Sequence, residues 1–299
     1  MKVAITGGTG LVGKALSSHL IREGHQVYIL TRNSGESQSS NPKFIQWLNP
    51  GDKPEKELEG IDAILNLAGA TINNKWTEEY KQKIIASRLQ ATDEVKRIIE
   101  MMPKKPSVLV NASAVGYYGT SLNKEYTEQS NKGNDFLAAT VDQWEASAAE
   151  VNGMGVRSVF CRFGVILDKN AGALPRMVLP YKFFTGGKIG SGKQWLSWIH
   201  IEDVVRGIIF SIENNKINGP VNFTAPCPVK MEQFGETLSR VIKRPHWMPV
   251  PSFALKVLLG EMSVLVLEGQ RAIPEKLLNE GFTFRYPELQ DALIEIFGK

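Results

Sequence analysis

Four glycines near the N-terminus, Gly7, Gly8, Gly10 and Gly13, lie between an apolar run, Lys2–Thr6, and an amphipathic run, Leu11–Arg22. A strand that feeds a helix through such a turn presents unpaired backbone N–H groups at the helix N-terminus. There the aligned peptide dipoles favour an anion. Gly7 permits the tight turn, Gly10 lets the backbone approach a pyrophosphate, and Gly13 lets the helix pack close to the strand. The chemistry this predicts is dinucleotide binding, with Thr6, Gly7, Gly8, Thr9, Gly10, Leu11, Val12 and Gly13 around the diphosphate. The spacing is G-x-x-G-x-x-G rather than the commoner G-x-G-x-x-G.

The end of the second strand, Gln26–Thr31, bears on which dinucleotide is bound. An acidic residue there suits the ribose 2′-hydroxyl of NAD, and a cation suits the 2′-phosphate of NADP. This chain has Thr31, Arg32 and Asn33, with no Asp or Glu before Glu36. Arg32 is expected to grip a 2′-phosphate while Thr31 or Asn33 donates hydrogen bonds, so NADP is the expected cofactor. A plain surface arginine is the alternative. Leu67, Ala68 and Gly69 end another strand with small residues that let a nucleotide lie against it. Arg88, inside the apolar stretch of a long helix, is expected to meet a charge partner, the cofactor phosphates or a surface ion pair.

Other residues are candidates for a substrate. Lys188 and Lys193 sit in a glycine-dense loop, Thr185–Lys193, and suit an anionic substrate such as a nucleotide-sugar diphosphate, or else a solvated hairpin tip. Trp198 suits ring stacking or ordinary packing. His200 follows a strand-like run and is either a substrate contact or a satisfied core histidine. Tyr117 and Tyr118 are candidate proton donors, with a structural role as the alternative.

These residues require an alternating scaffold. Strands are predicted at Lys2–Thr6, Gln26–Thr31, Phe44–Trp47, Ile61–Leu67, Ser107–Ala112 and Val156–Phe163, with helices at Leu11–Arg22, Trp76–Glu100 and Asp135–Val151. Connections this long imply right-handed crossovers, and so an α/β fold: a Rossmann-like, doubly wound parallel sheet that binds at the strand carboxyl ends. The expected division is a dinucleotide-binding domain over 1–165, with a returning strand near 219–225, and a smaller α+β lobe over 166–299 that walls a substrate cleft. Residues 33–42 read as a polar, serine-rich loop.

The composition excludes several classes. An apolar fraction of 42% and a charged fraction of 22% over 299 residues are ordinary for a globular protein. A net charge of +4 with scattered lysines argues for neither nucleic acid nor membrane. Two cysteines without C-x-x-C spacing read as reduced thiols rather than a disulfide or metal site. No signal-like leader or spanning run precedes the first strand, so a cytoplasmic monomer or homodimer acting on a small molecule is expected.

The TGGTGLVG turn, the NLAG strand end at Asn66–Gly69, the Ser113–Gly119 segment, the Arg162–Gly164 strand end and the run WIHIED at Trp198–Asp203 resemble the extended short-chain dehydrogenase/reductase superfamily. The closer resemblance, across essentially the whole chain, is to an atypical branch. It is the NAD-dependent epimerase/dehydratase family, cell-division-inhibitor-like, with its own C-terminal half (GSGKQWLSWIH, NFTAPCPV, PVPSFALKVLLGE, GFTFRYPELQDAL). The resemblance implies NADP binding, with Ala112, Arg162 and Phe163 also beside the cofactor, and a catalytic Ser at Ser113. It further implies a Tyr-x-x-x-Lys pair, in which the phenol passes a proton and the lysine lowers its pKa. With Glu145 aligned on the Glu that often follows that pair, Leu137 and Val141 occupy the Tyr and Lys positions, and Asp135–Val151 contains neither residue type. Two expectations follow. One is an NADP-dependent oxidoreductase or epimerase in which Ser113 works with Tyr117 or Tyr118. The other is a non-catalytic NADP-binding or redox-sensing protein.

Overall fold

Along the first strand, Val3 and Ile5 enter one apolar core and Ala4 enters another. A sheet buried on both faces in this way needs helices on both sides, which parallel crossovers supply. The computed structural model describes residues 1–33 and 41–298, so most of the serine-rich stretch expected at 33–42 lies outside the described residues. Its main sheet has seven parallel strands: β1 (Lys2–Thr6), β2 (Gln26–Thr31), β3 (Lys43–Gln46), β4 (Ala63–Asn66), β5 (Val108–Ala114), β6 (Arg157–Phe163) and β7 (Gly219–Phe223). Their spatial order is β7-β6-β5-β4-β1-β2-β3. The chain moves outward from β1 to β3 and then returns to the other side of β1 at β4. That reversal opens a crevice at the strand carboxyl ends.

The helices that position the crevice begin where their caps dictate. Helix α1 (Leu11–Arg22) follows the glycine turn directly. Helix α2 (Glu78–Met101) starts two residues later than the apolar period suggests, because the Thr77 hydroxyl accepts the Tyr80 amide at 3.1 Å. Two acidic residues in its first turn add a favourable dipole contact. Helix α3 (Phe136–Ala149) is capped by Asp135, which accepts the Ala138 amide at 2.8 Å.

Beyond β6 the chain builds a second core around Trp198, Phe234 and Leu293, from α4 (Leu174–Lys182), α6 (Met231–Ile242) and the C-terminal helix Leu289–Phe297. Helix α5 (Ile201–Glu213) behaves differently. Its Val204, Val205, Ile208 and Ile212 join the core of Val3 and Ile5, so it covers the main sheet beside α1 and leads into β7. Leu277, Phe282 and Phe284 return to that same core. Two short helices, Ser252–Leu259 and Val264–Leu267, follow in the second lobe; none of their side chains is fully buried, and Val264 and Leu265 of the latter line the cleft. Among the described residues no helix is long and apolar enough to cross a membrane.

Candidate dinucleotide site and cleft

The glycine turn is shaped by contacts that leave no room for a Cβ. Gly7 has φ +65°, and a Cβ there would stand 2.7 Å from the Leu67 carbonyl oxygen. A Cβ on Gly13 would stand 2.5 Å from the Gly7 oxygen and 2.6 Å from the Gly8 Cα, so the helix packs on the turn itself. The Gly10 amide closes the turn onto the Gly7 oxygen at 3.0 Å, and the Lys14 amide reaches the Gly10 oxygen at 2.9 Å. Among the described residues the amides of Leu11, Val12 and Gly13 have no backbone acceptor, and all three residues line the cleft. Three free donors at a helix N-terminus above a bare backbone cradle suit a diphosphate.

A row of polar side chains in register holds the neighbouring strand end. Thr6, Asn66 and Asn111 stand opposite one another on β1, β4 and β5. The Thr6 hydroxyl donates to Asn66 Oδ1 at 2.8 Å and accepts the Leu67 and Ala68 amides at 3.0 and 3.1 Å. Asn66 Nδ2 donates to Asn111 Oδ1 and to the Thr92 hydroxyl, which also accepts the Trp144 indole N–H at 3.1 Å. Thr6 is fully buried by these bonds, so it shapes the turn from behind instead of facing the cleft. Gly8 is likewise turned away, with β2's Ile29 2.5 Å from where its Cβ would be.

Arg88 reaches the cleft from α2, beside Gly69. Its Nη1 donates to the Ala70 and Ile84 carbonyls at 3.2 and 2.9 Å, and its guanidinium lies 5.0 Å from the Trp144 ring. No carboxylate pairs with it among the described residues, and burial brings its pKa down to about 10. A phosphate at this wall would meet an uncompensated cation. Leu67, Ala68, Gly69, Ala112 and Phe163 line the same cleft. Thr9, Arg32 and Asn33 are exposed, Thr31 is half-buried, and none of the four lines the cavity.

The cleft has a volume of about 700 Å³ and runs from the glycine turn to the second lobe. Ser113 lies on its floor, but its hydroxyl is committed, donating its one proton to Glu145 Oε1 at 2.5 Å. Glu145 is gripped in turn by Arg162, Nε to Oε1 at 2.8 Å and Nη2 to Oε2 at 2.7 Å. Arg162 Nη1 donates to the Tyr118 hydroxyl, which donates to Asn222 Oδ1 at 2.7 Å. Ser113, Arg162 and Asn222 occupy one register row across β5, β6 and β7.

Residues 3–223 match the profile of the NAD dependent epimerase/dehydratase family, and 250–296 match a domain of unknown function, DUF1731. The chain belongs to the NAD-dependent epimerase/dehydratase family. It is 52% identical over 299 residues to epimerase family protein YfhF of Bacillus subtilis, covering 100% of this chain and 98% of that one. The human epimerase family protein SDR39U1, solved with NADPH, superposes with a TM-score of 0.90 at 34% identity, covering 99% of both chains. A UDP-glucuronic acid 4-epimerase of Bacillus cereus, solved with UDP-glucuronic acid and NAD, shares the fold alone: TM-score 0.80 at 17% identity, over 100% of this chain and 98% of that one.

Within this NAD(P)-binding fold, Leu137 and Val141, the two residues expected at the Tyr and Lys positions, line the cleft. Among the described residues no Tyr, Lys, His or Cys lines it. Tyr118 is buried behind the floor against Tyr126, and burial, partly opposed by Arg162, pushes its phenol up to about 12. Tyr117 packs edge-on to Tyr118, with the Arg162 guanidinium 3.5 Å from its ring centroid, and it also stays out of the cleft. Arg162, expected beside the cofactor, is instead buried with Glu145. Burial disfavours its charge, but the hydrogen bonds to Glu145 outweigh this and raise its pKa above the ordinary arginine value.

All four expected substrate contacts also stand elsewhere. Lys188 pairs with Glu232 at 3.2 Å and Lys193 is exposed, and neither lines the cleft. Trp198 is wholly buried in the second core and donates its indole N–H to the Cys227 carbonyl at 3.0 Å. His200 caps α5, its Nδ1 accepting the Glu202 amide at 3.2 Å while Nε2 meets Glu295 at 2.9 Å. Their neighbours come from distant segments, which is why spacing alone does not reveal these roles. Motif spacing also assigns nothing to Thr92, Asn111 or Trp144. The available signal was one asparagine in each of two adjacent apolar strands, Asn66 and Asn111. Among the described residues no cluster of His, Cys, Asp and Glu could hold a metal ion.

Proposed function

We propose that this chain binds NADP(H) along the strand ends of the first lobe and holds it without a tyrosine–lysine proton route. The observation that carries the reading is the set of three free amides, Leu11, Val12 and Gly13, over a cradle closed to any Cβ. The diphosphate sits there, Arg88 adds a cation, and Leu67, Ala68 and Gly69 flank the ribose. Arg32, exposed at the end of β2, takes the 2′-phosphate, with Thr31 and Asn33 beside it. The likeness to a human relative solved with NADPH supports NADP over NAD.

The cofactor brings a transferable hydride. The chain's own residues bind and orient it, and they exclude water with an apolar floor of Ala114, Leu137 and Val141. Reduction of a carbonyl also needs a proton, and the hydroxyl nearest the floor, that of Ser113, directs its one hydrogen bond to Glu145 rather than into the cleft. This favours a cofactor-retaining or redox-reporting role in the cytoplasm, as monomer or homodimer, over epimerisation of a nucleotide sugar. Titration with NADPH and NADH, followed by a panel of carbonyl compounds and nucleotide sugars monitored at the nicotinamide band, tests the reading. Tight NADPH binding with no turnover is expected. Oxidation of NADPH by any of the carbonyl compounds, or formation of an epimer from a nucleotide sugar incubated with NADP+ and followed by NMR, would overturn the non-catalytic part, and absence of NADPH binding would overturn the whole.

A further inference from the structure

The proposed cofactor accounts for the first-lobe wall and leaves the wall that the second lobe supplies. Val165, Ile166, Leu196, Met231, Val264 and Leu265 make that wall apolar. Its charged members are carboxylates. Glu261 is neutralised by Lys81 at 2.7 Å, whereas Glu268 accepts the Thr120 hydroxyl at 2.6 Å and has no cationic partner among the described residues. Among the described residues no Lys or Arg of the second lobe lines the cleft, although two stand behind Trp195, a lining residue. Arg271 pairs with Glu125 at 3.2 Å and stacks on one side of Trp195, and Lys230 stands over the same ring at 5.3 Å. Among the described residues the one cation lining the cleft is Arg88, on the first-lobe side. Gln270 also lines the second-lobe wall. Its backbone oxygen accepts the Ser197 hydroxyl, while no described residue engages its side-chain amide.

We infer that the second-lobe half of the cleft takes an uncharged, largely apolar ligand carrying one hydroxyl or carbonyl for Gln270, and rejects nucleoside-diphosphate sugars. A diphosphate placed there would face Glu268 with no cation to offset its charge, and bound NADP(H) would add further negative charge nearby. An apolar body instead gains in proportion to the area it buries against the leucine, valine and methionine side chains. The amide of Gln270, half-buried on this wall, then fixes orientation by pairing with the ligand's one polar group. This inference rests on the proposed cofactor position only for which half of the cleft remains open.

The test is calorimetric titration of the full chain, with and without saturating NADPH, by 1-naphthol and by UDP-glucose. Binding of 1-naphthol is expected, and UDP-glucose should give no heat. Leu265→Asp should weaken 1-naphthol at least about tenfold and Gln270→Leu about threefold, with NADPH affinity unchanged in both. Circular dichroism establishes that each variant is folded, and Val264→Asp replaces Leu265→Asp if the latter does not fold. Failure of 1-naphthol to bind, UDP-glucose binding of equal or greater strength, or indifference to both wall substitutions would each overturn the inference. Loss of NADPH binding with 1-naphthol still bound, and still weakened by Leu265→Asp, would sink the cofactor reading and support this one.

Discussion

The two walls of the cleft are made of different parts of the chain. The first-lobe wall is backbone: a glycine turn, three free amides and a strand end held from behind by Thr6 and Asn66. The second-lobe wall and the floor are side chains, and nearly every polar one is satisfied within the protein. A backbone site is demanding about residue type, because a Cβ at Gly7 or Gly13 collides with main chain that cannot give way. It is undemanding about the ligand beyond the phosphate. A side-chain site is defined by what remains unpaired after folding, and here that is mostly apolar surface and Gln270.

The sharpest way to break this contrast is at the buried ion pair beneath the floor. Arg162→Met leaves Glu145 charged and uncompensated, which should cost about 3–5 kcal/mol of stability. Adding Glu145→Gln should recover part of that loss in a denaturant titration, because the two residues act as one unit. If Arg162 held the cofactor instead, NADPH affinity would fall while the unfolding midpoint barely moved. On the backbone wall, Gly13→Ala puts a methyl 2.5 Å from the Gly7 oxygen and should weaken NADPH about 100-fold, or about 2.7 kcal/mol. Unchanged affinity in a folded variant would contradict the backbone description.

The same contrast explains what the sequence disclosed. The parallel sheet and the glycine turn were legible because local patterns impose them: apolar β-branched runs, a helical period, and glycines where only glycine fits. Helix starts shifted by one or two residues where Thr77 or Asp135 caps decided them. Structural roles for Tyr118, Trp198 and His200 were among the readings the sequence allowed, but their partners were not legible. Tyr118 finds Asn222 104 positions away, and His200 finds Glu295 95 positions away. No local spacing encodes such partners. The lone asparagines of β4 and β5 were a readable hint of the register row, and Leu137 and Val141, the residues that stand in place of a Tyr-x-x-x-Lys pair, line the cleft.

Two arginines sharpen the first-lobe wall. Arg32→Glu should weaken NADPH about 10- to 30-fold and NADH less than about threefold, since only the 2′-phosphate distinguishes them. Equal losses in a paired titration would remove Arg32 from the site. Arg88→Met should weaken both dinucleotides about tenfold. It should also stabilise the free protein by about 1 kcal/mol, after allowing for solvent screening. The sign follows from its pKa, which burial lowers from the ordinary arginine value to about 10. Folding therefore disfavours the charged form. That cost is fully present at neutral pH and is relieved only as pH rises past about 10. Thermal unfolding of the free and NADPH-bound variant reads both effects, and a destabilised free protein would show that Arg88 is paired after all.

The smallest expected effect is the most discriminating for the second lobe. His200 sits at the N-cap of α5, with Nδ1 accepting the Glu202 amide, and it is 3% exposed. Asparagine is among the best N-cap residues because its side-chain oxygen can accept the same kind of amide. His200→Asn therefore keeps the cap and loses the Glu295 contact, a half-exposed partner whose pairing contributes little. The variant should unfold within about 0.5 kcal/mol of the wild type, whereas His200→Ala should lose about 1 kcal/mol with the cap. Both should bind NADPH and 1-naphthol with unchanged affinity, because the ring lies outside the cleft. A stable His200→Asn protein that no longer binds 1-naphthol would return the histidine to the ligand site. The apolar wall would then no longer be sufficient to describe what the second lobe recognises.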